Sequence, residues 1–301
     1  MRNFLDKVYT GRNEPWRYML TVLLSFVVSN VGAGFMVGLF LVAILIISGR
    51  MDAIEGIPAF SWPALLIMVA VAFSASMFFL YVGLKFIHKR DFISALNSRG
   101  HVDWRRILRG GVAWFLIVGI LDLISIIMDP SSVRFKFTPE FWWLLILSLV
   151  AFPVQASFEE IFFRGYLMQG MWMILKRPIP LMILNSLIFS ILHWWNGTTL
   201  AMSLSITAST FIIGLVLALI TLTDDGVELA MGVHIANNLY VSVIHSSPEA
   251  GLGNLPSLMV SPSDPYTSPV ALILASALLV ALLFRGRYGD VLSVLRYVDE
   301  D

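Results

Sequence analysis

Eight stretches of this chain have almost no charged side chain and are each long enough, at roughly 20 residues per span, for a helix to cross the hydrocarbon core of a bilayer. They cover 18–49, 61–84, 110–128 (interrupted by Asp122), 141–158, 178–195, 199–223, 227–245 and 268–284. A backbone in lipid must satisfy its own hydrogen bonds, so runs of this kind become helices. The prediction is an all-α, polytopic integral membrane protein of about eight transmembrane helices, with any functional site inside the bundle. Composition supports this: 58% of residues are apolar and 13% charged, where soluble proteins have about 45–50% and about 25%. Twenty basic residues balance 20 acidic ones, so the basic field that nucleic-acid binding needs is missing and no such partner is expected. The absence of cysteine excludes disulfides, thiolate metal sites and cysteine nucleophiles.

The first run would extend about 48 Å as straight helix, so it is expected to tilt, to kink near Gly32 and Gly34, or to leave the bilayer at one end. It is far longer than the roughly 7–15-residue apolar core of a secretory signal and reads as a retained span. Lys and Arg distribute unevenly between the connections. Seventeen fall in the N-terminal segment, the second-to-third loop, the fourth-to-fifth connection and the C-terminal tail, while three (Arg50, Arg134, Lys136) fall on the other side. By the positive-inside rule both termini are cytoplasmic and the loop 246–267 is external.

Ionisable groups inside spans are costly and point to function. Glu159, Glu160 and Arg164 lie in the cytoplasmic half of the fourth span, which continues beyond the charge-free run, His193 lies in the fifth, and His234 and Asn238 in the seventh. At about 1.5 Å per residue from the nearest cytoplasmic turn, Glu159 sits about 16 Å deep, His193 about 22 Å, His234 about 12 Å and Asn238 about 18 Å. Three helices therefore bring these groups to one slab. At about 100° per residue, Arg164 lies about 40° from Glu160 and about 140° from Glu159, so Glu160 and Arg164 are expected to pair and Glu159 to stay free.

The pattern Glu159-Glu160-x-x-x-Arg164, Phe189-x-x-x-His193 and His234-x-x-x-Asn238 resembles the CPBP family of intramembrane proteases, also called the ABI or CAAX-protease family. Its three motifs occur here in order, each in an apolar span, without departure. The resemblance implies an intramembrane endopeptidase whose substrate is a membrane-associated peptide or protein, expected in a prokaryotic plasma membrane. It also implies roles. Glu159 is the general base and holds the attacking water with His193, His234 and Asn238 donate to the oxyanion, and Glu160–Arg164 orients the helix. No cofactor is expected. The alternative is a zinc ion held by Glu159, His193 and His234, a legitimate ligand set although no HExxH is present. The chain divides into 1–140, spans without recognised motifs; 141–245, the catalytic helices; and 246–301, an external loop, a last span and a cytoplasmic tail. Two other readings remain, a transporter or permease using the buried Glu, His and Arg, and a non-catalytic scaffold of the same fold.

Other polar positions read as structural. Asp122 is expected to pair with a neighbour or to line the cavity. Asp224, Asp225 and Glu228 form a tight turn opening the seventh helix, where its dipole favours acids. His88 and His101 are expected to be solvated in a basic loop, and His245 is too distant to join the cluster. Gly34-x-x-x-Gly38 reads as a close helix contact. No serine is placed by the sequence beside a base.

Overall fold

The computed structural model describes residues 1–47, 49 and 61–297; Arg50, counted above, lies outside the described residues. Each of the eight apolar runs forms a helix. α1 comprises Pro15–Val22, a π-helical Leu23–Val28 and Ser29–Ile47. α2 spans Trp62–Ile87, α3 Trp104–Met128 and α4 Glu140–Leu175. α5 is Pro178–Ile191, α6 Leu200–Asp224 and α7 Glu228–Leu239, the last continued by a π-helical Tyr240–Ile244. α8 covers Thr267–Leu283, and a short α9, Tyr288–Leu295, follows it.

The local causes are ordinary ones. Proline occupies the first turn of α1, α2 and α5, where its missing N–H has no helical partner to lose. Asp103 caps α3 by accepting from the Arg105 N–H at 3.0 Å, and Thr199 caps α6 by accepting from Met202 at 3.2 Å. Asp225, with φ of 52°, turns the chain sharply from α6 into α7.

Length separates these helices into two groups. Among the described residues five are long and apolar enough to cross a membrane, and a sixth is added if α8 and α9, bent by 120°, count as one span. The expected count of eight spans is therefore not reached by length: α5 has only 14 residues, about 21 Å of helix. The outward faces carry exposed Phe35, Phe40, Leu116, Ile120 and Leu123, a surface suited to lipid rather than water.

Packing is closest between α3 and α7. A Cβ on Gly232 would stand 1.9 Å from the Ile107 carbonyl oxygen, and one on Gly110 would stand 2.2 Å from that of Leu229. Only hydrogen fits at either position, so the two backbones touch. Gly34 and Gly38, read from sequence as the close contact, meet nothing within 4 Å.

The basic segments collect at one end of the bundle. Arg99 pairs with Glu228 at 2.6 Å, Arg106 and Arg287 both reach Asp224, and the N-terminal amine meets Asp225 at 2.5 Å. The acids of the α6–α7 turn thus clamp three other segments, a larger role than serving their own helix dipole. At the other end β1 (Arg134–Phe135), β2 (His245–Ser246) and β3 (Met259–Val260) form a small sheet in the order β1–β3–β2. If the basic end is cytoplasmic, a thiol placed at Arg105 by Arg105→Cys is labelled only from that side. Asp264→Cys, also exposed, is then labelled only from outside, and the reverse pattern would invert the topology.

His88 is not solvated: it is fully buried. Its Nδ1 lies 2.8 Å from the Arg12 carbonyl and its Nε2 lies 2.9 Å from the Tyr166 hydroxyl. A carbonyl only accepts, so Nδ1 carries the proton and Nε2 accepts from Tyr166. Burial first, then the neighbouring Arg90 and Arg17 charges, push its pKa down from 6.5 to about 4. Because the folded value is depressed, the unfolded chain binds the extra proton. Stability from this site is therefore present above the unfolded value and lost as pH falls from 6.5 through about 4, by at most about 1.4 kcal/mol per unit. His88→Gln keeps a donor and an acceptor and is expected to flatten thermal stability over that window. An unchanged slope would remove His88 as its source.

Candidate active site

Phe158, Phe162 and Phe163 pack in one aromatic cluster with Phe26 of α1, and Phe158 also meets Phe73 of α2. This seals α4 from water where the two glutamates sit. Glu159 and Glu160 end its regular part, and the backbone widens into π-helix over Ile161–Leu167, which carries Arg164. Such local unwinding often marks functional positions.

The expected ion pair is present. Arg164 Nη1 donates to Glu160 Oε1 at 3.0 Å, with both side chains fully buried. Arg164 also lies 4.2 Å from the centre of the Phe189 ring, a cation–π contact that holds α4 against α5. Glu159 takes a different environment. Its Oε1 accepts from Gln155 Nε2 at 3.1 Å, while its Oε2, like Glu160 Oε2, is buried without a hydrogen-bond partner.

His234, brought by α7, stands against both carboxylates. Its Nδ1 lies 2.8 Å from Glu160 Oε1, and its Nε2 lies 3.6 Å from Glu159 Oε2. A carboxylate only accepts, so Nδ1 carries a proton and fixes the ring. The family resemblance implies an oxyanion-donor role for His234; in the structure its Nδ1 is bonded to Glu160. Asn238 is set one turn further along α7, at the end of a relay in which Trp114 Nε1 donates to Asn237 at 3.2 Å and Asn237 donates to Asn238 at 3.3 Å. The α3–α7 glycine contact brings Trp114 within reach, so residues before 140 help to set the site.

His193 caps the end of α5. Its Nδ1 donates to the Phe189 carbonyl at 2.8 Å, which leaves Nε2 as an acceptor. The Phe189 ring is the physical link between the two histidines, 4.5 Å from His193 and 5.9 Å from His234 between ring centres. A cavity of about 620 Å³ is lined by His193, His234, Asn238 and Gln155 together and continues to the loop after α7. The three motif-bearing helices thus converge, with Phe189 standing between His193 and His234.

Gln155 was not singled out from sequence, although its signal was there: a polar residue four positions before Glu159 on the same apolar helix. Asp122 and His245 also take definite partners. His245 Nδ1 lies 2.9 Å from both Asp122 oxygens, and the Tyr240 hydroxyl donates to Asp122 at 2.6 Å. His245, judged too distant, lines the same cavity as His193 and His234.

Zinc fits poorly. Among the described residues no group of three His, Cys, Asp or Glu side chains is placed to hold a metal ion. Glu159 and His234 approach each other, but His193 does not join them.

Fold and site together define a membrane-embedded bundle with a buried acid–imidazole centre opening onto an internal cavity. Residues 141–240 match the family model described as type II CAAX prenyl endopeptidase Rce1-like. Through that segment the chain is similar to this endopeptidase family. It is also 28% identical, over 266 residues, to a Bacillus subtilis (strain 168) protein named Uncharacterized protein YyaK, covering 86% of this chain and 87% of that one. No solved structure matches it.

Proposed function

We propose that this chain hydrolyses a peptide bond of a membrane-associated peptide or protein inside the bilayer, with a water activated by Glu159. The observation that carries the proposal is the buried, unpartnered Glu159 Oε2 beside His234, where two other polar groups, His193 and Asn238, line the adjoining cavity. A buried carboxylate oxygen without a protein donor is costly unless it has a use. A water between Glu159 and His193 Nε2 would give its proton to the carboxylate and its oxygen to the scissile carbonyl. The leaving amine would take that proton back. Asn238 Oδ1 already accepts from Asn237, so its Nδ2 is the donor assigned to the developing oxyanion. His234, anchored on Glu160, positions Glu159 from the opposite side. The setting we propose is a prokaryotic plasma membrane with both termini cytoplasmic.

Reconstitution in liposomes separates this reading from a permease: proteolysis of membrane peptides without solute uptake is expected, and uptake without cleavage would overturn it. We also propose that the reaction uses no metal. Active protein is expected to hold well under one zinc per chain and to keep its rate in chelator. Stoichiometric zinc, lost together with activity in both His193→Ala and His234→Ala, would refute that.

A further inference from the structure

The far end of the cavity holds a second arrangement that the glutamate chemistry does not use. The parallel pairing of β2 with β3 sets His245 opposite Met259 and Ser246 opposite Val260. Ser261 therefore follows directly after β3, and its N–H donates to the Ser246 carbonyl at 3.2 Å. That register puts Ser261 Oγ 2.7 Å from His245 Nε2. On the other side of the ring, both Asp122 oxygens lie 2.9 Å from Nδ1. The carboxylate can only accept, so the neutral imidazole carries its proton on Nδ1 and Nε2 must accept from the Ser261 hydroxyl.

The tautomer, the order of contacts and the distances are those of a hydroxyl nucleophile, its base and the acid that orients the base. The Tyr240 hydroxyl fixes Asp122 from a further direction at 2.6 Å. His245 and Asp122 side chains are 14% and 15% exposed, sheltered enough to hold the geometry. Ser261 and His245 both line the cavity, together with Leu252, Leu255 and Leu272.

We propose that Ser261, His245 and Asp122 form a second, serine-dependent acyl-transfer site whose substrate is a carboxylic ester with an apolar acyl chain. Ser261 Oγ attacks the ester carbonyl while its proton passes to His245 Nε2. The tetrahedral adduct expels the alcohol, which takes that proton, and leaves an acyl ester on Ser261. Water, deprotonated by His245, then releases the carboxylic acid and restores the serine. Because the Ser261 N–H is already bonded to Ser246, the activation expected is that of the base and its acid alone, about 10²–10⁴-fold.

The test is reaction of the intact, membrane-reconstituted protein with an alkyl fluorophosphonate, which forms a phosphonate ester with an activated serine and releases fluoride. Mass spectrometry is expected to find one adduct per chain, on Ser261. Ser261→Ala is expected to carry no adduct. Asp122→Asn, near in shape, should be labelled at least about 10²-fold more slowly with thermal stability close to native. Glu159→Gln is expected to label like the native chain, which separates this site from the glutamate reading. If the native chain stays unlabelled in excess reagent, or Ser261→Ala labels like it, the triad is only a hydrogen-bonded latch for the loop. Folded Asp122→Asn labelling at the native rate would equally overturn the proposal.

Discussion

Glu159→Gln is expected to yield a folded, membrane-inserted protein whose proteolytic rate falls by about 10²–10⁴-fold, the usual contribution of a positioned general base. The amide is nearly isosteric and can still accept from Gln155, which holds Glu159 Oε1 at 3.1 Å. Only the proton acceptor is lost. Glu160→Gln should behave in the opposite way. Glu160 balances the fully buried Arg164 and also holds His234 at 2.8 Å. Removing its charge leaves the guanidinium uncompensated, which costs about 3–5 kcal/mol for a buried pair. Thermal stability and membrane yield should therefore fall. A stable, inactive Glu160→Gln beside an active Glu159→Gln would reverse the two roles.

The second large effect is expected where no charge is involved. At Gly232 even a methyl would lie 1.9 Å from the Ile107 carbonyl oxygen and 2.8 Å from the Gly111 nitrogen. Both are backbone atoms, so no rotamer change relieves the overlap and α3 must move away from α7. That movement breaks the Trp114–Asn237–Asn238 relay and shifts His234. Gly232→Ala is expected to cost at or beyond the top of the roughly 1–3 kcal/mol range for overpacking, and Gly232→Val to prevent accumulation in the membrane. Gly34→Ala is the control, since its Cβ meets nothing within 4 Å. Equal stability of Gly232→Ala and the native chain, by thermal denaturation, would show that the helices do not touch there.

The contrast between these glycines shows what could be read in the sequence. Apolar runs located α1 to α8 because lipid solvates only self-satisfied backbone. The i,i+4 geometry of Glu160 and Arg164 was legible because both lie on one helix. Gly34-x-x-x-Gly38 matched a spacing rule, yet the contact falls at Gly110 and Gly232, since a single glycine does not say which helix it faces. His88 was misjudged because its neighbours Lys85, Lys89 and Arg90 make the segment look solvated; its burial comes from Tyr166, 78 positions away. The grouping of Asp122, His245 and Ser261 needed a two-residue strand register and a helix contact across 123 positions. Periodicity does not encode either. The same limit applied to His234, whose attachment to Glu160 depended on how α7 is rotated.

The most direct measurement is a comparison of peptide termini in membranes from cells carrying the native chain and from cells carrying Glu159→Gln at equal abundance. If Glu159 activates the hydrolytic water, a defined set of membrane-associated precursors accumulates uncut in the variant, and their cleaved forms disappear. Identical inventories of cut and uncut membrane peptides in the two cells would contradict peptide hydrolysis by this site.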